Sequence, residues 1–259
     1  MYPVLIEIGH FQLRAYGIVV ALAFLAGGWV AGREARRRGM APALVQDFVL
    51  YALVAGILGA RLYYVLVSQP AWYLARPWDI LAVWQGGLAV HGGILAGLAM
   101  AVWYARRNRL GPLAFVDTLT PGLALGQAIG QVACLLNGDS FGTPTTLPWG
   151  IVFTDPRALA PQGVALHPLQ AYEFLAYLGV FGLVWAARRH LTRPGTVLAL
   201  YAGAYGIARF FLEFLRADPP RMAGIVVPQA MSVFLVAGAL LLAAGWWGQV
   251  QRDARRRTG

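Results

Sequence analysis

Charge is scarce in this chain: 12% of its 259 residues are charged and 59% are hydrophobic, which excludes an ordinary soluble domain, where about a quarter carry charge. Cysteine is nearly absent. A single Cys134 rules out an internal disulfide framework and a multi-cysteine metal site. Lysine is missing altogether, all 21 basic residues being arginine, a choice that carries no functional message by itself. The formal charge of +10 is spread in short basic runs between apolar segments. That is the pattern of juxtamembrane anchors and argues against a nucleic-acid surface. No internal repeat is visible, contrary to the inverted repeats of many secondary transporters. A cleavable leader is not expected, because Met1, Glu7 and Gln12 bracket a start with no basic run.

What is present is a succession of apolar spans. Residues 1–13 are too short to cross a bilayer and read as an interfacial segment. Spans are expected at 16–31, 45–67, 80–104, 114–136, from His167-Pro168 to Arg188, at 196–214 and at 227–247. The fourth is expected to break or bend near Pro121. Arginines 33, 36, 37 and 38, then 106, 107 and 109, then 188, 189 and 193, then 252, 255, 256 and 257 fall on one side. The outer loops carry Arg76, Arg157 and Arg221. By the positive-inside rule the first group is cytoplasmic. The reading is an all-α, polytopic membrane protein of about seven transmembrane helices, N-terminus outside and C-terminus in the cytoplasm. It forms one membrane domain over 1–259, with an outer loop or small lid at about 137–166, rich in Gly and Pro.

Three features place polar chemistry at membrane depth. The run Gln85-Gly86-Gly87-Leu88-Ala89-Val90-His91-Gly92-Gly93 puts an imidazole and a series of glycines in an apolar span. Either His91 looks into a cavity, or the glycines serve close helix packing and His91 is an interhelical hydrogen bonder. Tyr205, Arg209, Glu213 and Arg216, spaced four, four and three, share one helical face. Arg209 needs a bound anion or a carboxylate such as Glu213 to justify its depth. Arg14 and Arg61 add outer-side cations, and Tyr16, Tyr63 and Tyr64 can donate hydrogen bonds to a planar, bidentate anion such as a phosphodiester. Cys134 reads as packing, Asp139 as a turn former and His167 as a helix-start residue.

Taken together these pieces resemble the bacterial prolipoprotein diacylglyceryl transferases. The resemblance rests on Leu13-Arg14-Ala15-Tyr16-Gly17, Gly59-Ala60-Arg61-Leu62-Tyr63-Tyr64, the stretch Gly86 to Gly93 around His91, Pro121 to Gly130, His167 to Glu173, and Tyr205-Gly206-x-x-Arg209-Phe210-x-x-Glu213-Phe214-x-Arg216. Gln229-x-x-Ser232 matches the last-span motif more weakly. The family signature Gly-Arg-Ile-Gly-Asn-Phe is altered here: its arginine falls on Gln131 and its asparagine on Cys134.

The resemblance implies transfer of the diacylglyceryl group of phosphatidylglycerol to the lipobox cysteine of preprolipoprotein signal peptides, in the bacterial cytoplasmic (inner) membrane, with no cofactor or metal. It implies catalytic roles for His91, Arg209 and Tyr16. Substrate contacts fall to Arg61, Tyr64, Gln131, Asn137, Gly142, Tyr205, Glu213 and Arg216. With Gln131 in place of a guanidinium, Arg61 or Arg216 is expected to supply the missing cation. The alternatives are a lipid or anionic-solute transporter using the same arginines, an aspartyl intramembrane protease built on Asp47 and Asp117, and a divergent paralogue that has lost the reaction.

Overall fold

The computed structural model describes residues 4–8, 11–68, 70–83, 86–217, 219–222 and 224–258. Its helices are α1 (Ala15–Arg37), α2 (Pro42–Ser68), α3 (Pro70–Ala75), α4 (Val90–Arg107), α5 (Pro112–Asn137), α6 (Leu169–Ala187), α7 (Thr196–Leu212) and α8 (Val227–Thr258). Three antiparallel hairpins, β1 (Val4–Ile8) with β2 (Phe11–Arg14), β3 (Ile151–Val152) with β4 (Ala165–Leu166) and β5 (Arg221–Met222) with β6 (Ile225–Val226), lie between or before them. The segment expected to lie at the interface, 1–13, thus supplies most of a hairpin.

Among the described residues, six helical stretches are long and apolar enough to cross a membrane: Ala15–Arg37, Pro42–Val67, Pro112–Asn137, Leu169–Ala187, Thr196–Leu215 and Val227–Trp246. The chain is an all-α, multi-pass membrane protein. The expected span 80–104 takes another form. Pro77–Leu81 is a 3-10 turn and α4 begins only at Val90, because Gly86 and Gly87 have φ of 87° and 67°, which no right-handed helix accommodates. Its 18 residues rise about 27 Å, a little under the roughly 30 Å of a hydrocarbon core.

The expected break at Pro121 is absent, since α5 runs without interruption from Pro112 to Asn137. Proline removes one N–H and leaves the carbonyl four residues back without its helical donor. The next residue, Gly122, packs its backbone directly on Gly27 of α1: a Cβ on Gly27 would lie 2.8 Å from the Gly122 carbonyl oxygen.

Helix ends follow one device. After α1, α4 and α5 the chain turns through Gly39, Arg109 and Gly138, with φ of 75°, 57° and 75°. The following N–H reaches back five residues, Met40 to Ala35, Leu110 to Ala105 and Asp139 to Cys134, which satisfies carbonyls that the helix leaves open.

Contacts divide the chain into two compact units, Gly32–Thr118 and the remainder, Met1–Ala31 with Leu119–Gly259. In the first, α2 and α4 meet over small residues: a Cβ on Gly59 would lie 2.6 Å from the Gly92 carbonyl oxygen. Phe48, Tyr104 and Phe115 fill its aromatic core. In the second, α5, α6 and α7 meet through Ala124, Val180, Val184, Val197 and Tyr201. There α7 also rests on α8 where Gly206 approaches Ser232. The segment 137–166 has its own small core of Phe153, Ala160 and Leu166.

Candidate active site

In the unit carrying α5 to α8, the polar face expected on the sixth span is real, and its carboxylates are two. Arg209 bonds Glu173 of α6 and, at 2.9 Å, Glu213. Arg216 bonds the same Glu173 oxygen at 2.7 Å and the same Glu213 oxygen at 3.1 Å. The four charges close a ring. Helix geometry brings this about: α7 ends at Leu212, Glu213–Leu215 tightens into a 3-10 turn and Arg216 is extended, so residues 209, 213 and 216 stay on one side. Glu173 and Glu213 are 1% and 2% exposed. Carboxylates buried so deeply persist only when paired and hydrogen-bonded. Arg209 therefore has the carboxylate partners that its depth requires. Its remaining N–H groups are still available to an anion.

Behind the ring, Tyr177, Tyr205 and Tyr201 form a ladder, with ring centroids 5.2 and 5.8 Å apart. The Tyr201 hydroxyl donates to Gln127 at 2.5 Å, and the Tyr205 ring lies between those of Tyr177 and Tyr201. Tyr205 thus supports Arg209 from one helical turn below.

The C-terminal end of α5 supplies the other side. Gln131 has a buried side-chain oxygen with no hydrogen-bond partner among the described residues. Cys134, one turn on, is within electrostatic reach of Asp139, Glu173 and Arg216. Tyr16 of α1 is within the same reach of Cys134 and Asp139. Asn137 donates to Asp139 at 3.3 Å, and Gln170 donates to the Asp139 carbonyl at 2.6 Å. Tyr16, Gln131, Asn137, Tyr205, Arg209, Glu213 and Arg216 thus belong to one unit, around a cysteine that sequence reasoning took for packing.

Gly142 stitches that end together. Its N–H donates to His167 at 3.2 Å, Thr143 donates to Leu215 at 2.8 Å, and Gly142 forms a bridge with Arg216. A Cβ there would meet the His167 Cβ at 2.6 Å and its carbonyl oxygen at 2.7 Å. Only glycine fits.

In the unit Gly32–Thr118, His91 is the second residue of α4 and is exposed, its ring 6.1 Å from that of Tyr63. The glycines beside it do serve close packing: Gly92 lies on the Gly59 backbone. Arg61, expected at the substrate or in place of the missing signature arginine, is a residue only 5% exposed whose guanidinium donates to carbonyl oxygens. These are Ile80 at 3.0 Å, Asp79 at 2.5 Å, Gly86 at 2.6 Å and Gly87 at 3.1 Å. Tyr64 lies against Gly87, where a Cβ would meet its ring at 2.8 Å. Arg216, the other expected substitute for the missing cation, is tied to both glutamates as above.

Sequence reasoning passed over Glu173, Gln170 and Gln127. A signal for the first was available: Glu173 is the only acidic residue of α6, and an ionisable side chain in an apolar span is a functional candidate by default.

Comparison with known proteins bears on this arrangement. The family model described as prolipoprotein diacylglyceryl transferase matches residues 3–245. A phosphatidylglycerol–prolipoprotein diacylglyceryl transferase of Gloeobacter violaceus is 37% identical over 260 residues, covering 98% of this chain and 95% of the relative. Relatives of the same name from Ruegeria pomeroyi and Geobacter sulfurreducens are 41% and 34% identical, over 80% and 93% of this chain and 76% and 92% of theirs. The chain belongs to the prolipoprotein diacylglyceryl transferase family.

Proposed function

We propose that this enzyme transfers the diacylglyceryl group of phosphatidylglycerol to the lipobox cysteine of preprolipoprotein signal peptides in the bacterial inner membrane. A C–S bond forms, the C–O bond to phosphate breaks, and glycerol phosphate leaves. The thiol proton is taken up by a base. The observation that supports this best is the buried ring of Arg209, Glu173, Arg216 and Glu213 at the end of an apolar helix: guanidinium groups held rigidly, with N–H donors to spare.

The chemistry needs such groups. The phosphodiester carries one negative charge and the departing monoester gains a second, so donors held in place at Arg209 stabilise the transition state more than the ground state. A cysteine thiol of pKa about 8.5 is only a few per cent ionised at neutral pH, and a histidine has the right basicity to take its proton. This reading gives that proton to His91 and the positioning of the headgroup to Tyr16, Tyr64, Asn137 and Gly142. Seven crossings, with the N-terminus outside, are part of the same proposal.

Mass spectrometry of a lipobox peptide incubated with purified enzyme and phosphatidylglycerol tests it. The expected result is a gain of one diacylglyceryl unit on the cysteine. An unmodified peptide, with a relative as positive control, overturns it. In the same assay His91→Gln is expected to be severely impaired at pH 7 and partly restored as the pH rises, because more peptide thiol is then ionised.

A further inference from the structure

We infer that Arg61 is a positioning residue for His91, acting through the loop before α4 and not through contact with lipid phosphate. The inference rests on the reading of His91 as the thiol base.

The guanidinium has five N–H donors, and four of them are spent on backbone. Nε donates to Ile80, Nη2 to Asp79, and Nη1 to both Gly86 and Gly87. None of these partners is a carboxylate. Its face lies over the ring of Tyr73, 5.3 Å from the centroid. A phosphate ligand must leave its fork open, and this fork is closed.

The carbonyls it holds come from both ends of one connection. Asp79 and Ile80 belong to the 3-10 turn, while Gly86 and Gly87 stand three or four residues before α4. The residue preceding Arg61 completes the clasp, for the Ala60 carbonyl accepts the Ala89 N–H at 3.0 Å. Ala89 caps α4 without a side-chain hydrogen bond, and His91 is two residues on. The left-handed glycines keep the helix from starting earlier, and Arg61 with Ala60 anchors its start to α2. Gly87 is part of the clasp by lacking a side chain. A Cβ there would strike Nη1 of Arg61 at 2.5 Å and the Tyr64 ring at 2.8 Å.

Two substitutions test this independently. Arg61→Lys keeps the charge but has a compact ammonium that cannot reach four carbonyls around a planar fork. Gly87→Ala keeps every charge and displaces the fork. The measurements are kcat and KM for phosphatidylglycerol, and the pH profile of kcat, in the purified enzyme. We expect both variants to lose roughly ten- to a hundredfold in kcat, with KM little changed in Arg61→Lys, as misplaced catalytic groups do. Their activity should rise with pH as that of His91→Gln does, and the double variant should match the slower single variant within about twofold.

A raised KM at unchanged kcat in Arg61→Lys overturns the inference in favour of phosphate binding. A wild-type pH profile scaled down by loss of folded enzyme overturns it in favour of a structural role alone. If Arg61→Lys does not fold, Gly87→Ala carries the same test. If His91→Gln itself is fully active, the reading of His91 fails first, and the Arg61 variants are then expected to show no pH-dependent rescue.

Discussion

Glu173 shows how a residue acquires its meaning from a partner far away in sequence. Its Oε1 accepts hydrogen bonds from both Arg209 and Arg216. Replacing it with glutamine would leave two partly buried guanidiniums sharing a single carboxylate. Breaking a buried charge network in this way costs about 3 to 5 kcal/mol. Glu173→Gln is therefore expected to lower the melting temperature markedly in detergent, and thermal denaturation that leaves it unchanged would show the ring to be unimportant for stability. Gln131 marks the opposite situation, a position short of charge. Two carboxylates, Asp139 and Glu173, and one guanidinium, Arg216, act on Cys134, and Gln131 stands one turn away on α5. A charge-assisted hydrogen bond to phosphate contributes about 1.5 to 3 kcal/mol, so Gln131→Arg should lower KM for phosphatidylglycerol by roughly tenfold or more. Lipid titration of the two enzymes measures it, and equal KM values would exclude position 131 from the headgroup. The departure at 131 was plain in the sequence. That Arg61 and Arg216 are already engaged was not, because hydrogen bonds to residues 18 to 43 positions away leave no periodic trace.

Among the elements, the segment between α5 and α6 owes its place to one glycine. Gly142 and Thr143 lie between His167 and Leu215, bonded to each, with no room for a methyl group at 142. Overpacking against backbone costs about 1 to 3 kcal/mol. Gly142→Ala is expected to loosen the segment 141–166, read as faster proteolytic cleavage there, and to reduce transfer. Cleavage at the wild-type rate would refute the steric argument. The motif around Gly142 was visible beforehand and its composition marked a loop, but the sequence had no means of showing the two backbones that it separates. α5 makes the same point in reverse. Pro121 suggested a break, yet the helix continues, because packing between Gly27 and Gly122 holds a shape that propensity alone disfavours.

For the whole molecule, the distribution of arginine is the strongest topological signal. With Cys134 replaced by alanine as background, Arg157→Cys is expected to react with a membrane-impermeant maleimide from outside intact cells, and Arg107→Cys only after permeabilisation. The reverse labelling pattern would invert the orientation. The weak link in a seven-crossing topology is α4, shortened by Gly86 and Gly87, so a reporter at its C-terminal end is the most informative single position.

By itself the sequence determined that this is a helical membrane protein, roughly where its long apolar helices lie, and which family motifs it carries. Those properties follow from local composition and from the cost of placing polar groups in hydrocarbon, and both are written residue by residue. Tertiary structure alone decided what the polar residues do. It paired Arg209 and Arg216 with Glu173 across two helices, closed Arg61 on carbonyls from both ends of a connection, and brought Cys134 within reach of three charged side chains. The physical reason is that a buried charge is stabilised by whichever donors and acceptors folding brings within about 3 Å of it, a matter of packing and not of spacing along the chain.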